Sequence, residues 1–226
     1  PPRSTLFPYT TLFRSPWIAL EQVHGGVEGT TLTERVVHAI RSTGHAFDPE
    51  RAAMLAEALG AGLCAVYEVG VLHRDMKPDN VLCCGFGDDE IFKISDFGVA
   101  RPAGLGATFG LAVGTLAYAA PELATGGAEV GPWSDVFGMA ATLYFALTGE
   151  DYFDVSTPQK AILAAASPAR RRITDSAWLA PALRASADAC RAIDFALACA
   201  ASARTEVRPS RGDALGRRLQ AVLGAP

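Results

Sequence analysis

Apolar and polar positions recur along this chain with distinct periods, and those periods assign most of its elements. Leu55, Leu59, Leu63 and Val66 fall on one helical face, which predicts a helix over Asp48 to Glu68. Asp48 suits its N-cap, Pro49 its first helical position and Glu50 its first turn, and Gly70 ends it. Ahead of it, Gly25-Gly26-Val27-Glu28-Gly29 reads as a turn leading into a helix over Thr31–Ser42. Trp17 to Leu20 is a short apolar strand. Two apolar pairs, Val71-Leu72 and Val81-Leu82, bracket a polar loop, as short buried strands do. Ile91-Phe92-Lys93-Ile94 alternates with the period of a strand.

The longest apolar run, Val136 to Leu147, predicts a buried helix capped by Ser134 and ending near Gly149. It contains Thr142 and falls well short of a membrane span. Thr157-Pro158 caps a further helix, and Leu183 to Ala201 is helical and Ala-rich. Ser210-Arg211-Gly212-Asp213 has the spacing of a capping box that opens a last helix to about Leu223. The resulting fold class is α+β, mainly α.

Composition narrows the picture. The 226 residues are 50% hydrophobic with a net charge of -4, which allows one domain or two small ones and a sizeable core. The mildly acidic balance implies no broad nucleic-acid footprint. The five cysteines show no C-x-x-C spacing, and Cys83-Cys84 sit together in a predicted strand, which points to buried thiols in a reducing, cytoplasmic setting. No signal peptide is visible. Arg170-Arg171-Arg172 reads as a solvated surface run, with a peptide-docking patch as the other reading. Residues 1–15 stand apart. Thr5 to Ser15, TLFPYTTLFRS, repeats Thr-Leu-Phe with no helix or strand period and resembles a translated sequencing-adapter oligonucleotide, so it is set aside from fold reasoning as an artefactual or disordered leader.

The chemistry concentrates in His73-Arg74-Asp75-Met76-Lys77-Pro78-Asp79-Asn80. Within a few residues this loop presents a carboxylate, an ammonium and an amide. That trio suits phosphoryl transfer: Asp75 can take the proton of an attacking hydroxyl, Lys77 can offset charge on the moving group, and Asn80 can hold a hard cation. Downstream stand Ser95-Asp96-Phe97-Gly98 and Gly114-Thr115-Leu116-Ala117-Tyr118-Ala119-Ala120-Pro121-Glu122.

These three motifs resemble the catalytic loop, the D-F-G turn and the A-P-E segment of protein kinases, and Lys77-Pro78 resembles the serine/threonine branch. The Ala/Gly/Arg-rich composition fits the eukaryotic-like kinases of bacteria. The resemblance covers about Trp17 to Leu223. It implies ATP and Mg²⁺ as cofactors and protein Ser/Thr hydroxyls as acceptors. Asp75, Lys77, Asn80 and Asp96 are the implied catalytic residues, with Asn80 and Asp96 on the metal. Residues 16–30 resemble the last small-lobe strand and the hinge, so that Leu20 backs the adenine pocket, the backbones of Glu21 and Val23 face the adenine edge, and Leu82 lines the site. Phe97 is implied to pack in the core behind the site, Thr115 to touch Asp75 and Lys77, Glu122 to pair with Arg208, and Asp135 to anchor the loop backbone beside His73. Thr108 is the one hydroxyl between Gly98 and Val113. It either docks on Arg74 when phosphorylated or is an ordinary solvent-facing residue. The family usually has Ser where Gly138 stands, a departure expected to cost up to about 1 kcal/mol of helix propensity.

Some family parts find no counterpart. The glycines at 25–29 follow the hinge-like stretch, so they are not a phosphate loop, and none of the three lysines, Lys77, Lys93 and Lys160, precedes the catalytic loop. The expectation is a large helical lobe (residues 31–226) with short hairpins at the cleft and no small lobe, and hence poor turnover by this stretch alone. Two other functions stand beside the kinase: a pseudokinase or interaction module, which has no need of all four polar residues, and an aminoglycoside-kinase-like phosphotransferase, which the A-P-E segment and Arg74 disfavour. The location implied is the cytoplasm, including the cytoplasmic part of a longer membrane-anchored kinase.

Overall fold

Several helices start where a side chain accepts one of the first unpaired backbone N–H groups. A computed structural model describes residues 21–97, 101–102, 116–125, 129–153 and 157–224. Helix α1, Leu32–Thr43, opens on a capping box: the Glu34 N–H donates to Thr31 Oγ1 (3.3 Å) and the Thr31 N–H to Glu34 Oε2 (3.0 Å). Backbone donation from Thr31 and Thr30 holds the Glu34 carboxyl below its usual range. Helix α2, Pro49–Glu68, has Asp48 as its N-cap, accepting the Arg51 N–H at 2.9 Å.

Strand β1, Val71–Leu72, and strand β2, Val81–Cys84, flank the polar loop. Strand β3, Ile91–Ile94, pairs antiparallel with β2, placing Leu82 opposite Lys93 and Cys83 opposite Phe92. Strand β4, Arg101–Pro102, pairs antiparallel with β1. The inward residues Val81, Cys83 and Phe92 are buried, and that burial pushes the Cys83 thiol up to about 12. It is an apolar filler. All five cysteines are free thiols.

Helices α3 (Pro121–Thr125), α4 (Pro132–Thr148), α5 (Pro158–Ala166), α6 (Pro181–Arg184), α7 (Ala187–Ala200) and α8 (Gly212–Leu223) complete the fold. From Ser134 to Thr148, α4 buries every residue except Phe145. A helix apolar all round belongs in the middle of a core, and α1, α2, α7 and α8 pack around it. Its two threonine hydroxyls are satisfied within the helix, Thr142 on the Gly138 carbonyl (2.8 Å) and Thr148 on that of Tyr144 (2.7 Å). Among the described residues the molecule is thus mainly helical with two small antiparallel sheets, and no helix there is long and apolar enough to cross a membrane.

Four local expectations change. Ser134 does not cap α4: Pro132 begins the helix, and the Ser134 hydroxyl instead accepts the Gly131 N–H (3.4 Å) and donates to Glu122 (2.7 Å). The stretch Leu183–Ala201 is two helices, because Ser186 caps α7 through the Ala189 N–H. Ser210 does not cap α8: Arg211 holds the N-cap position without a side-chain cap, and Asp213 pairs with Arg217 (2.7 Å). Arg170 is not a solvated surface charge, since its guanidinium stacks over Phe153 at 5.1 Å and donates to carbonyls of Ala201 and Ser167. Burial lowers its pKa. The expected strand at Trp17–Leu20 and the leader at 1–15 lie outside the described residues.

Candidate functional site

The polar loop is held by a carboxylate from the central helix. Asp135 of α4 accepts the backbone N–H of His73 (2.8 Å) and of Arg74 (2.6 Å). Burial pushes the Asp135 carboxyl up, and the two backbone donors offset only part of that. Gly138, one turn on, lets the helix touch the loop: a Cβ there would lie 2.8 Å from Met76 Cβ and 2.9 Å from the Met76 carbonyl. Clamped in this way, Arg74 adopts φ +66, a left-handed conformation that costs a non-glycine residue roughly 1–2 kcal/mol. Its side chain is buried, 3% exposed.

His73 is fully buried and joins the loop to the end of β3. Its Nε2 lies 2.8 Å from the Ser95 carbonyl, and its Nδ1 accepts the Asp75 N–H at 3.3 Å, which assigns the ring proton to Nε2. Ser95 in turn donates its N–H (2.9 Å) and its hydroxyl (3.1 Å) to the Asn80 carbonyl. These bonds bring Asp96 beside the loop in a left-handed conformation, φ +58, and Arg74 and Asp96 are the two positive-φ non-glycine residues among those described. Strained backbone persists where the surroundings over-determine it, and here both instances flank the same polar cluster.

Asp75 is the centre of that cluster. Its Oδ2 accepts from Lys77 Nζ (2.9 Å) and from Asn80 Nδ2 (2.9 Å). Asn80 Nδ2 also donates to the Asp75 carbonyl (2.8 Å), so the amide nitrogen is committed to Asp75 and the amide oxygen is left for a cation. Asp75 Oδ1 is buried and has no hydrogen-bond partner among the described residues. An unsatisfied buried acceptor costs about 1–3 kcal/mol, so this oxygen is set up to accept a proton or a further donor. Among the described residues no group of three His, Cys, Asp or Glu side chains can hold a metal ion. A hard cation bound by Asn80 and Asp96 would take its remaining oxygens from a phosphate ligand and water, the usual habit of Mg²⁺.

The other candidate residues fall around this centre. Leu82 is half-buried on the outer face of the hairpin, opposite Lys93. Lys93 Nζ pairs with Glu21 (2.7 Å), and that bond raises the lysine's pKa. Val23 is half-buried in the irregular stretch after Glu21. Glu122 and Arg208 form a buried two-pronged pair, 2.6 and 3.0 Å. Phe97 departs from expectation. It does not enter the core; it sits past the last strand residue, 43% exposed, with its ring edge-on to His73 at 4.9 Å, so it caps the histidine. Thr108 and Thr115 lie outside the described residues.

One buried cluster was missed by sequence reasoning. Arg35 and Arg51 share Glu28 and Glu90, and Arg35 is fully buried. A signal was present, since Leu32, Arg35, Val36 and Ala39 share the buried stripe of α1, and an arginine in an apolar stripe calls for buried partners.

With that geometry in hand, similarity to known proteins is informative. The protein kinase domain family matches residues 12–211. A probable serine/threonine-protein kinase, PkwA of Thermomonospora curvata, is 44% identical over 101 residues, 44% of this chain and 13% of that protein. The serine/threonine-protein kinase PknL of Mycobacterium tuberculosis is 34% identical over 142 residues, 62% of this chain and 32% of that protein. PknK of the same species is 38% identical over 105 residues, 46% of this chain and 9% of that protein. The aligned stretch thus spans about a third or less of each of these relatives.

Proposed function

From the premise that the chain belongs to the protein kinase domain family, we propose that it carries the phosphoryl-transfer site of a serine/threonine protein kinase. The observation that carries this reading is the buried Oδ1 of Asp75, which has no partner among the described residues, with Lys77 and Asn80 on the other carboxylate oxygen. Oδ1 accepts the proton of a substrate Ser or Thr hydroxyl as its oxygen attacks the terminal phosphorus of ATP, the bond from that phosphorus to the bridging oxygen breaks, and ADP leaves. The Lys77 ammonium holds Oδ2, which leaves Oδ1 for the substrate hydroxyl, and it offsets negative charge on the transferring group. Asn80 Oδ1 and the Asp96 carboxylate would hold Mg²⁺, which would supply positive charge against the phosphates of the nucleotide.

On this reading the backbones of Glu21 and Val23 meet the adenine edge and Leu82 packs on the ring. Residues 31–226 then correspond to the large helical lobe. Asp135 and the Glu122–Arg208 pair shape the site without touching substrate. When phosphorylated, Thr108 is the residue that docks on Arg74. The site works in the cytoplasm on protein substrates.

The test pairs Asp75→Asn with Asp96→Asn. Asp75→Asn should lower phosphate transfer to a protein substrate by about 10²–10⁴-fold and leave Mg-ADP binding by calorimetry within about twofold. Asp96→Asn should weaken Mg-ADP binding itself. Transfer that survives Asp75→Asn refutes the reading.

A further inference from the structure

The glycine loop at 25–29 is a cradle of carbonyls closed around one guanidinium. Arg35 Nη2 donates to the Gly25 carbonyl (3.0 Å) and Nε to the Gly29 carbonyl (2.8 Å). The loop turns tightly enough that a Cβ on Gly25 would meet the Gly29 carbonyl oxygen at 1.7 Å. Backbone N–H groups attract anions, whereas converging carbonyls attract a cation, so this loop is built for the arginine beneath it.

The same guanidinium reaches the hairpin. Its Nη1 donates to the Gly85 carbonyl (3.1 Å), at the end of β2, and to Glu90 (3.0 Å), just before β3. Glu90 is held from the other side by Arg51 of α2, at 2.6 and 2.7 Å. The Cys83 N–H, donating to the Thr30 carbonyl at 2.8 Å, adds a backbone tie between the same two segments. One buried, planar fork therefore sets the spacing between the chain that follows Glu21–Val23 and the hairpin that carries Leu82 and leads to Asp96.

We propose that Arg35 is a positioning residue for the adenine end of the nucleotide. It fixes the distance between the backbone at 21–23 and the Leu82 face of the hairpin, so that a flat ring fits between them. This rests on the nucleotide reading above and adds a role for a residue 40 positions before the catalytic loop's Asp75. Rigid spacing matters because a binding slot held at its bound width avoids the ordering cost of closing on the ligand. Lysine cannot replace the fork: it keeps the charge but gathers its donors on one atom and cannot span both carbonyls and Gly85.

The experiment measures binding of Mg-ADP and of Mg-tripolyphosphate, which has no adenine, to the wild-type chain, to Arg35→Lys and to Glu90→Gln. Arg35→Lys should raise the Mg-ADP Kd about tenfold and leave the tripolyphosphate Kd unchanged. Glu90→Gln keeps the shape of the acceptor and loses its charge, and it should shift the same ligand in the same direction by about threefold. General loosening of the fold would weaken both ligands alike, and that result overturns the inference, as does an unchanged Mg-ADP Kd in both variants. A wild-type chain that binds neither ligand overturns the nucleotide reading and this inference together.

Discussion

Removing the Glu122 carboxylate should cost a large share of the stability of this fold. Both terminal guanidinium nitrogens of Arg208 bond to it, at 2.6 and 3.0 Å, and the Arg208 side chain is 0% exposed. Glu122→Ala leaves that cation buried with only neutral carbonyls, those of Ser202 and Trp133 among them, and with the Phe137 ring 5.0 Å away. Breaking one side of a buried pair costs about 3–5 kcal/mol. The Ser134 hydroxyl, 2.7 Å from the same carboxylate, loses its acceptor, which adds about 1 kcal/mol. Against a total stability of about 5–15 kcal/mol, a loss near 4–6 kcal/mol approaches global unfolding. Equilibrium urea denaturation followed by circular dichroism reads it directly. With a slope of about 2 kcal/mol/M, the midpoint should fall by about 2–3 M. The double variant Glu122→Ala/Arg208→Met removes the stranded charge and should recover part of the loss. A fall smaller than about 0.5 M, or a double variant no more stable than Glu122→Ala, refutes the argument that the stranded charge dominates.

Two further tests probe packing and capping. Gly138→Ala should gain up to about 1 kcal/mol of helix propensity, yet the added methyl meets Met76 Cβ at 2.8 Å and the carbonyls of Met76 and Tyr118 at 2.9 and 3.2 Å. Overpacking of about 1–3 kcal/mol should win, so calorimetry should show a lower melting temperature; a rise contradicts the close approach. Glu34→Ala should destabilise by about 1 kcal/mol at neutral pH through loss of the capping box. Backbone donation from Thr31 and Thr30 lowers the folded pKa of Glu34 below 4.5. Its contribution is therefore present above that value and lost as pH falls through the folded pKa. The gap in melting temperature between wild type and variant should narrow as pH is lowered from about 7 through that folded pKa, and a gap independent of pH means the carboxylate is not the cap.

Much of the fold can be read along the chain. Helix α2 follows from Asp48, Pro49 and a leucine stripe, and the strands around the polar loop follow from short apolar pairs and a period-two run. These are local signals, in which a side chain and the backbone it caps lie within one turn. The starts of α4 and α8 are less legible. The Ser134 hydroxyl has a better partner in Glu122, which is distant in sequence, and a cap signal is only as good as the absence of such competitors.

The sequence by itself determined that Asp75, Lys77 and Asn80 meet, because they lie within a single loop and spacing alone brings them together. Only the tertiary structure decided how they are held. Asp135 reaches the loop backbone from 61 positions away, Gly138 is a clearance rather than a weak helix former, and Arg35 joins two segments 50 or more residues apart. Contacts of that range leave no period in a sequence. They arise when helices pack and each buried charge or carbonyl must find whichever partner the packing brings near.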